Sequence, residues 1–210
     1  MMGSHHGKGN RKRILRTVLL ALTILFTAVV VGSLSFSLLQ KALHLDFSQD
    51  YRQVEGNDKI LFRENGSHKM YTRSFWGLRP TGQKEEQRDG PADVETAEAE
   101  EAEIAWLDAD VYDISKARDH VVWYDAQRNR ILSGHIKRDS IASFDTQYTV
   151  EQIVLSPDER YILFCETEYG VNGGYSTDEE YCYYRVIDTR EGVQYKIYSG
   201  YRQWFDVYWE

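Results

Sequence analysis

Val154-Leu-Ser-Pro-Asp-Glu-Arg-Tyr-Ile-Leu-Phe164 reads as an apolar run, a polar turn and a second apolar run. Ser156 and Asp158 are side chains that hydrogen-bond turn amides, and Pro157 presets a turn dihedral. The flanks extend the two runs to Val150–Leu155 and Arg160–Cys165, each the length of one strand.

The same reading spreads in both directions. Upstream, Val111–Ile114, His120–Asp125, Arg130–Ile136 and Ser140–Phe144 are short β-rich runs separated by polar turns. Downstream, Tyr181–Ile187 and Val193–Tyr198 flank Thr189-Arg-Glu-Gly192, and Phe205–Trp209 starts one further strand. Nearer the N-terminus, Lys59–Glu64 and Ser67–Trp76 enclose Asn65-Gly66, the strongest short hairpin signal. Asn65-Gly66-Ser67 also fits the N-glycosylation pattern. Regularly spaced short strands predict an all-β architecture for residues 104–210. Residues 41–78 are expected to form a stalk followed by the hairpin. Residues 79–103, with Pro80, Gly82, Gly90 and Pro91 ahead of an Ala/Glu-rich acidic run, predict a flexible linker.

The two sets of four strands begin about 40 residues apart, the period of a propeller blade. Val154–Phe164 resembles the first hairpin of a blade in TolB-type and dipeptidyl-peptidase-type β-propellers, where Ser-Pro-Asp-Gly links the strands. Tyr184-Arg-Val-Ile-Asp188 with Thr-Arg-Glu-Gly192 resembles the third strand and closing turn. Glu159 stands where the family has glycine, which disfavours a left-handed turn there. The resemblance implies propeller-blade-like antiparallel four-stranded sheets. It covers about two blades, too few to close a ring, so the expectation is an incomplete propeller. Either its sheets pack on one another or another chain completes it. The strand at Phe205–Trp209 either closes a sheet or marks a shortened member of a larger family.

Cys165 and Cys182 fall on neighbouring strands of the second set. If partners sum to 347, they face each other across the loop Glu168–Glu179. They are then a candidate disulfide, which contributes about 3 kcal/mol in the chain-entropy model. Two buried free thiols are the alternative.

Residues Thr17–Gln40 form one run of 24 positions without a charge. As a helix they reach about 36 Å, enough to cross a bilayer. Lys8, Arg11, Lys12, Arg13 and Arg16 precede the run and no acid does. The positive-inside rule then keeps residues 1–16 in the cytoplasm and places residues 41–210 outside. The expectation is a single-pass signal-anchor in the cell membrane. A signal peptide cleaved near Val31-Gly32-Ser33 is the rival, opposed by the apolar Leu34, Phe36, Leu38 and Leu39 beyond that point.

The formal charge of −8 conceals an asymmetry, because residues 41–210 hold 20 basic against 33 acidic residues. Phosphate backbones repel such a surface, which argues against nucleic-acid partners. There is no CxxC, HExxH, GxSxG, P-loop or GxGxxG. The sequence therefore predicts no enzyme, no cofactor and no metal site, and His120 and His135 read as packing or surface residues. Candidate binding residues are aromatic: Tyr169 and Tyr175 on the long loop, and Tyr201, Trp204 and Trp209 in the aromatic-rich C-terminal third. Besides the lipid bilayer, the expected partner is a protein, which includes a second copy of the chain. The alternatives are a polysaccharide- or cell-wall-binding domain with an aromatic face, and a degenerate relative of a propeller-bearing peptidase.

Overall fold

The computed structural model describes residues 7–67, 69–84, 109–135, 140–170, 180–201 and 204–210. The chain divides into two compact units, Met1–Leu43 and His44–Glu210.

The first unit is a single helix, α1 (Gly7–Ala42). Its window Val18–Phe36 has a mean hydropathy of 2.4 and no buried residue, so by length and composition it is able to cross a membrane. Three of its hydroxyls are satisfied within the helix. Thr23, Thr27 and Ser33 donate to the carbonyls of Leu19, Thr23 and Val29 at 2.8–2.9 Å. This removes the polar groups that hydrocarbon would otherwise leave unpaired.

The second unit is built from three four-stranded antiparallel sheets. β1 (Ile60–Glu64), β2 (Lys69–Ser74) and β3 (Gly77–Lys84) form the first. β4 (Tyr112–Ile114), β5 (His120–Asp125), β6 (Arg130–His135) and β7 (Ile141–Asp145) form the second. β8 (Thr149–Leu155), β9 (Tyr161–Tyr169), β10 (Glu180–Asp188) and β11 (Val193–Tyr201) form the third. The final strand, β12 (Phe205–Trp209), crosses back and pairs with β1, Ile60 opposite Trp209 and Glu64 opposite Phe205, giving the order β12-β1-β2-β3. The last strand therefore completes the first sheet, and the architecture is not a closed propeller.

The β8–β11 sheet is buried on both faces. Tyr161, Leu163 and Cys165 of β9 join Phe62, Tyr71, Tyr184, Val186, Tyr198, Phe205 and Val207 in one core. Ile162 and Phe164 point the other way, into a second core with Val122, Ile131, Val150 and Ile187. A strand buried on both faces needs a continuous apolar run rather than alternation, which is what Tyr-Ile-Leu-Phe-Cys165 supplies.

Three edge strands meet without pairing: β4 and β12 both lie against β8. Side chains take over there as hydrogen-bond partners. The Val207 N–H donates to Gln152 Oε1 at 3.1 Å, and the Leu155 N–H donates to Asp113 Oδ2 at 2.6 Å. Edge amides that would otherwise be orphaned are thereby satisfied. Burial raises the Asp113 carboxyl pKa, and the amide bonds from Leu155 and Ile114 oppose that shift only partly.

Two stretches differ from the sequence expectation. Residues 79–84, read as the start of a linker, extend β3. It is an edge strand, where Pro80 is tolerated because no further neighbour needs its amide. The linker's remainder, 85–103, lies outside the described residues. The expected stalk after residue 41 is instead part of the domain: Leu45 bridges to Gly77, and Tyr51 and Val54 are buried in the first core.

Candidate functional site

The chain from His44 to Val54 is held onto the first sheet by a buried ionic node. Arg73 on β2 donates to the carbonyls of Ile197 (2.6 Å), Ser74 (2.7 Å), Asp46 (2.9 Å) and Ser48 (2.8 Å). Its guanidinium lies 3.6 Å from the Asp46 carboxylate and 4.6 Å over the Tyr51 ring. The Asp46 carboxylate also accepts the Ser199 N–H at 2.8 Å and pairs with Lys196 at 3.3 Å. Burial lowers the Arg73 pKa, while Asp46, Tyr51 and Tyr198 pull it back up. Four carbonyls in a fixed fork suit a guanidinium and not an ammonium.

This node displays an aromatic cluster. The β2–β3 turn is fastened to the chain that follows α1: Asp46 N–H donates to the Trp76 carbonyl at 2.9 Å, and Leu78 N–H to the His44 carbonyl at 3.1 Å. Trp76 stands edge-on to Phe47 and to Phe75, with centroids 5.8 and 4.7 Å apart, and the Arg52 guanidinium lies 5.3 Å over Phe75. All three rings are exposed, Trp76 by 61%. Among the described residues outside α1, these three rings form a mutually packed aromatic group that the fold leaves exposed.

A second constellation joins two sheets. His120 and His135 are directly opposite on β5 and β6, and their rings stack at 4.3 Å. Glu159, on the β8–β9 turn of the neighbouring sheet, brings Oε2 to 3.3 Å from His120 Nδ1. On the other side of the ring, His120 Nε2 meets Ser133 Oγ at 2.7 Å. His120 is buried, while His135 and Glu159 are partly open to solvent. Burial, followed by the proximity of His135, lowers the His120 pKa against the opposing pull of Glu159. Glu159 also lines an open cleft of about 520 Å³ with Asp113, Ser115, Ser156 and Trp209.

The aromatic residues singled out from the sequence are dispersed. Trp204 packs against the first core and donates Nε1–H to Glu180 at 2.9 Å. Tyr169 is opposite Glu180 in the ladder and donates its hydroxyl to Glu151 at 2.6 Å, so these two share one end of the β8–β11 sheet. Trp209 is half-buried at the other end of β12, stacked on Tyr161 at 5.7 Å. Tyr201 ends β11, and Tyr175 lies outside the described residues. Phe47, Phe75 and Trp76 were legible only as part of a stalk and a hairpin. Exposed Phe-Trp at a turn was the available signal.

The ladder also corrects the cysteine register. Partners on β9 and β10 sum to 349, so Cys165 faces Tyr184 and Cys182 faces Thr167. The cysteines are diagonal neighbours in one core, both buried as free thiols. Diagonal neighbours sit roughly 7–8 Å apart at Cα, beyond the usual disulfide span. Hydrogen bonding to Cys182 and burial raise the Cys165 thiol pKa well above its ordinary value.

No protein-family model, curated protein or solved structure matches this chain.

Proposed function

We propose that the chain is a single-pass, signal-anchored membrane protein. Its extracytoplasmic β domain is an incomplete three-bladed propeller that binds a protein partner in the same membrane and is not an enzyme. The observation that carries this reading is the exposed Phe47–Phe75–Trp76 cluster under Arg52. Trp and Arg dominate interface hot spots, and ordered aromatic pairs bind at low entropic cost. The cluster's backbone is fixed to His44 and Asp46, early in the β domain's own chain. The bilayer surface itself is the less favoured occupant, because residues 41–210, with 33 acidic against 20 basic residues, are repelled by anionic headgroups. The basic residues Lys8, Arg11, Lys12, Arg13 and Arg16, at the start of α1 and ahead of its apolar window, support the orientation with the domain outside.

The test is a photo-crosslinking residue at position 75 of the full chain in its native membranes. The reading expects one discrete protein adduct, at least tenfold weaker in Arg52→Glu or Trp76→Ala, since a hot-spot truncation costs about 2 kcal/mol or more. Adducts to lipid alone, or a protein adduct indifferent to both substitutions, would refute it.

A further inference from the structure

We propose that His120, His135 and Glu159 form a binding site for a divalent transition-metal cation, zinc in the first instance. The bound ion ties the β4–β7 sheet to the β8–β9 turn. The donor set is two imidazoles and one carboxylate, the N/O set that borderline cations such as zinc prefer over calcium or magnesium. Zinc bonds of about 2.0–2.1 Å in a tetrahedron place neighbouring donors about 3.3 Å apart. The edge from His120 Nδ1 to Glu159 Oε2 is already 3.3 Å. The three candidate donor atoms all lie within 4.8 Å of one another. In the bound state the half-open His135 ring turns out of its stack on His120 to take the remaining corner, and water fills the fourth.

Two details of the surroundings fit an ion. A metal-bound imidazole uses its other nitrogen in a hydrogen bond that fixes the tautomer. Ser133 Oγ, 2.7 Å from His120 Nε2, is placed to be that partner; in the tautomer whose Nε2–H donates there, the Nδ1 lone pair is directed at the carboxylate 3.3 Å away. The second detail is the backbone of Glu159, at φ +61°. That is the left-handed region where glycine is strain-free and a glutamate is not. The turn keeps its conformation despite the side chain, and the same conformation aims the carboxylate at the histidines. Residues holding such strain cluster at functional sites.

The experiment uses the full chain in detergent micelles, stripped with chelator, in a His5→Ala/His6→Ala background that removes the other adjacent histidine pair. Zinc chloride is titrated calorimetrically and in thermal melts, and cobalt(II) is read by its visible absorption. The proposal expects one ion per chain, a rise in melting temperature that saturates with zinc, and the intense absorption of four-coordinate cobalt. His135→Ala and Glu159→Gln weaken zinc by about 100-fold or more, and Ser133→Ala by about tenfold, as an outer-shell partner does. Glu159→Gly loses the zinc response with an ion-free melting temperature no lower than the parent's, which separates loss of a ligand from loss of the fold. The proposal is overturned by the absence of saturable zinc binding below about 0.1 mM. It is equally overturned by binding that His135→Ala and Glu159→Gln leave unchanged.

Discussion

Gly77→Ala is the sharpest probe of how the domain is fastened to the chain that leads into it. Gly77 has φ +142°, and a Cβ placed there meets the His44 carbonyl oxygen at 2.0 Å, Leu45 Cα at 2.8 Å and Asp46 N at 2.9 Å. All three are backbone atoms, so no side chain is free to swing aside. The dihedral alone costs an alanine about 1–3 kcal/mol. Relief of the clash separates His44–Asp46 from the β2–β3 turn and breaks two backbone hydrogen bonds, worth about 1 kcal/mol each. The sum is about 3–5 kcal/mol, before any loosening of Asp46 from Arg73 and Ser199. For a unit of this size that lowers the melting temperature by roughly 6–20 °C. Gly192→Ala is the internal control: its φ is +67° but a Cβ meets nothing within 4 Å, so it costs only the left-handed strain of about 1–2 kcal/mol. Thermal melts of the full chain followed by near-UV circular dichroism read both. If Gly77→Ala melts no lower than Gly192→Ala, the close approach of residues 44–46 to the turn is not a feature of the folded protein.

Other consequences are equally direct. Arg73→Met strands four carbonyls and takes from buried Asp46 its guanidinium partner, leaving Lys196 and the Ser48 and Ser199 donors; breaking such a pair costs about 3–5 kcal/mol, readable as a lower midpoint in urea. Phe62→Ala, at a side chain with no exposed surface ringed by Tyr184, Tyr198 and Phe205, costs about 3–5 kcal/mol, with the unchanged urea slope expected of a two-state unit. Non-reduced protein denatured in the presence of a thiol reagent labels both Cys165 and Cys182, whereas native protein labels neither; unlabelled denatured protein would mean a bridge and a register other than the one observed. Asp188 has a lowered pKa: burial opposes its charge, but bonds from Arg160 and from the amides of Arg190 and Glu191 outweigh it. A depressed carboxyl stabilises the fold above its unfolded pKa of about 3.9 and loses that contribution as pH falls through the folded value. Asp188→Asn is accordingly less stable at neutral pH and shows a shallower loss of stability below about pH 4, measured by urea midpoints across the acid range.

The parts of this fold legible in the sequence are those whose signals are local. Asn65-Gly66 between two β-rich runs marks the β1–β2 hairpin, with Gly66 at φ +85°. Ser156-Pro157-Asp158 marks the β8–β9 turn, where the Ser156 hydroxyl donates to Asp158 at 2.6 Å and accepts the Tyr161 amide at 2.8 Å. The 40-residue spacing corresponds to the two sheets β4–β7 and β8–β11. The pairing of β12 with β1 was not legible, because strand alternation says that Phe205 and Val207 share a face but not which distant strand lies beside them. The cysteine register failed by two residues for a similar reason. β9 and β10 run on to Tyr169 and Glu180, so the ladder is set over nine pairs, and a count across the connecting residues does not fix it to within two. Arg73 looked like one more charged residue on a hairpin. Its burial depends on carbonyls from Asp46, Ser48 and Ile197, which only the assembled sheets bring together.

Glu159 shows how a local rule and a tertiary arrangement compete. Judged by its own turn, glutamate is a poor choice, and the sequence argued against a left-handed conformation there. The structure keeps the conformation and the glutamate together. The turn's other bonds account for the conformation: Glu159 N–H donates to the Ser156 carbonyl at 2.8 Å, and Asp158 accepts from Ser156 and from the Arg160 amide. None of these bonds uses the Glu159 side chain, so the turn itself supplies no reason for a carboxylate in place of hydrogen. Among the described residues, the polar contact of that side chain is with His120, 39 residues earlier on another sheet. A residue that strains its own turn while its carboxylate reaches a distant histidine fits the joint role proposed for the three groups. In that case Glu159→Gly and His135→Ala should be non-additive for zinc-linked stabilisation, the double variant losing no more than either single one. Full additivity, measured in the same melts, would mean that the carboxylate and the imidazoles act separately.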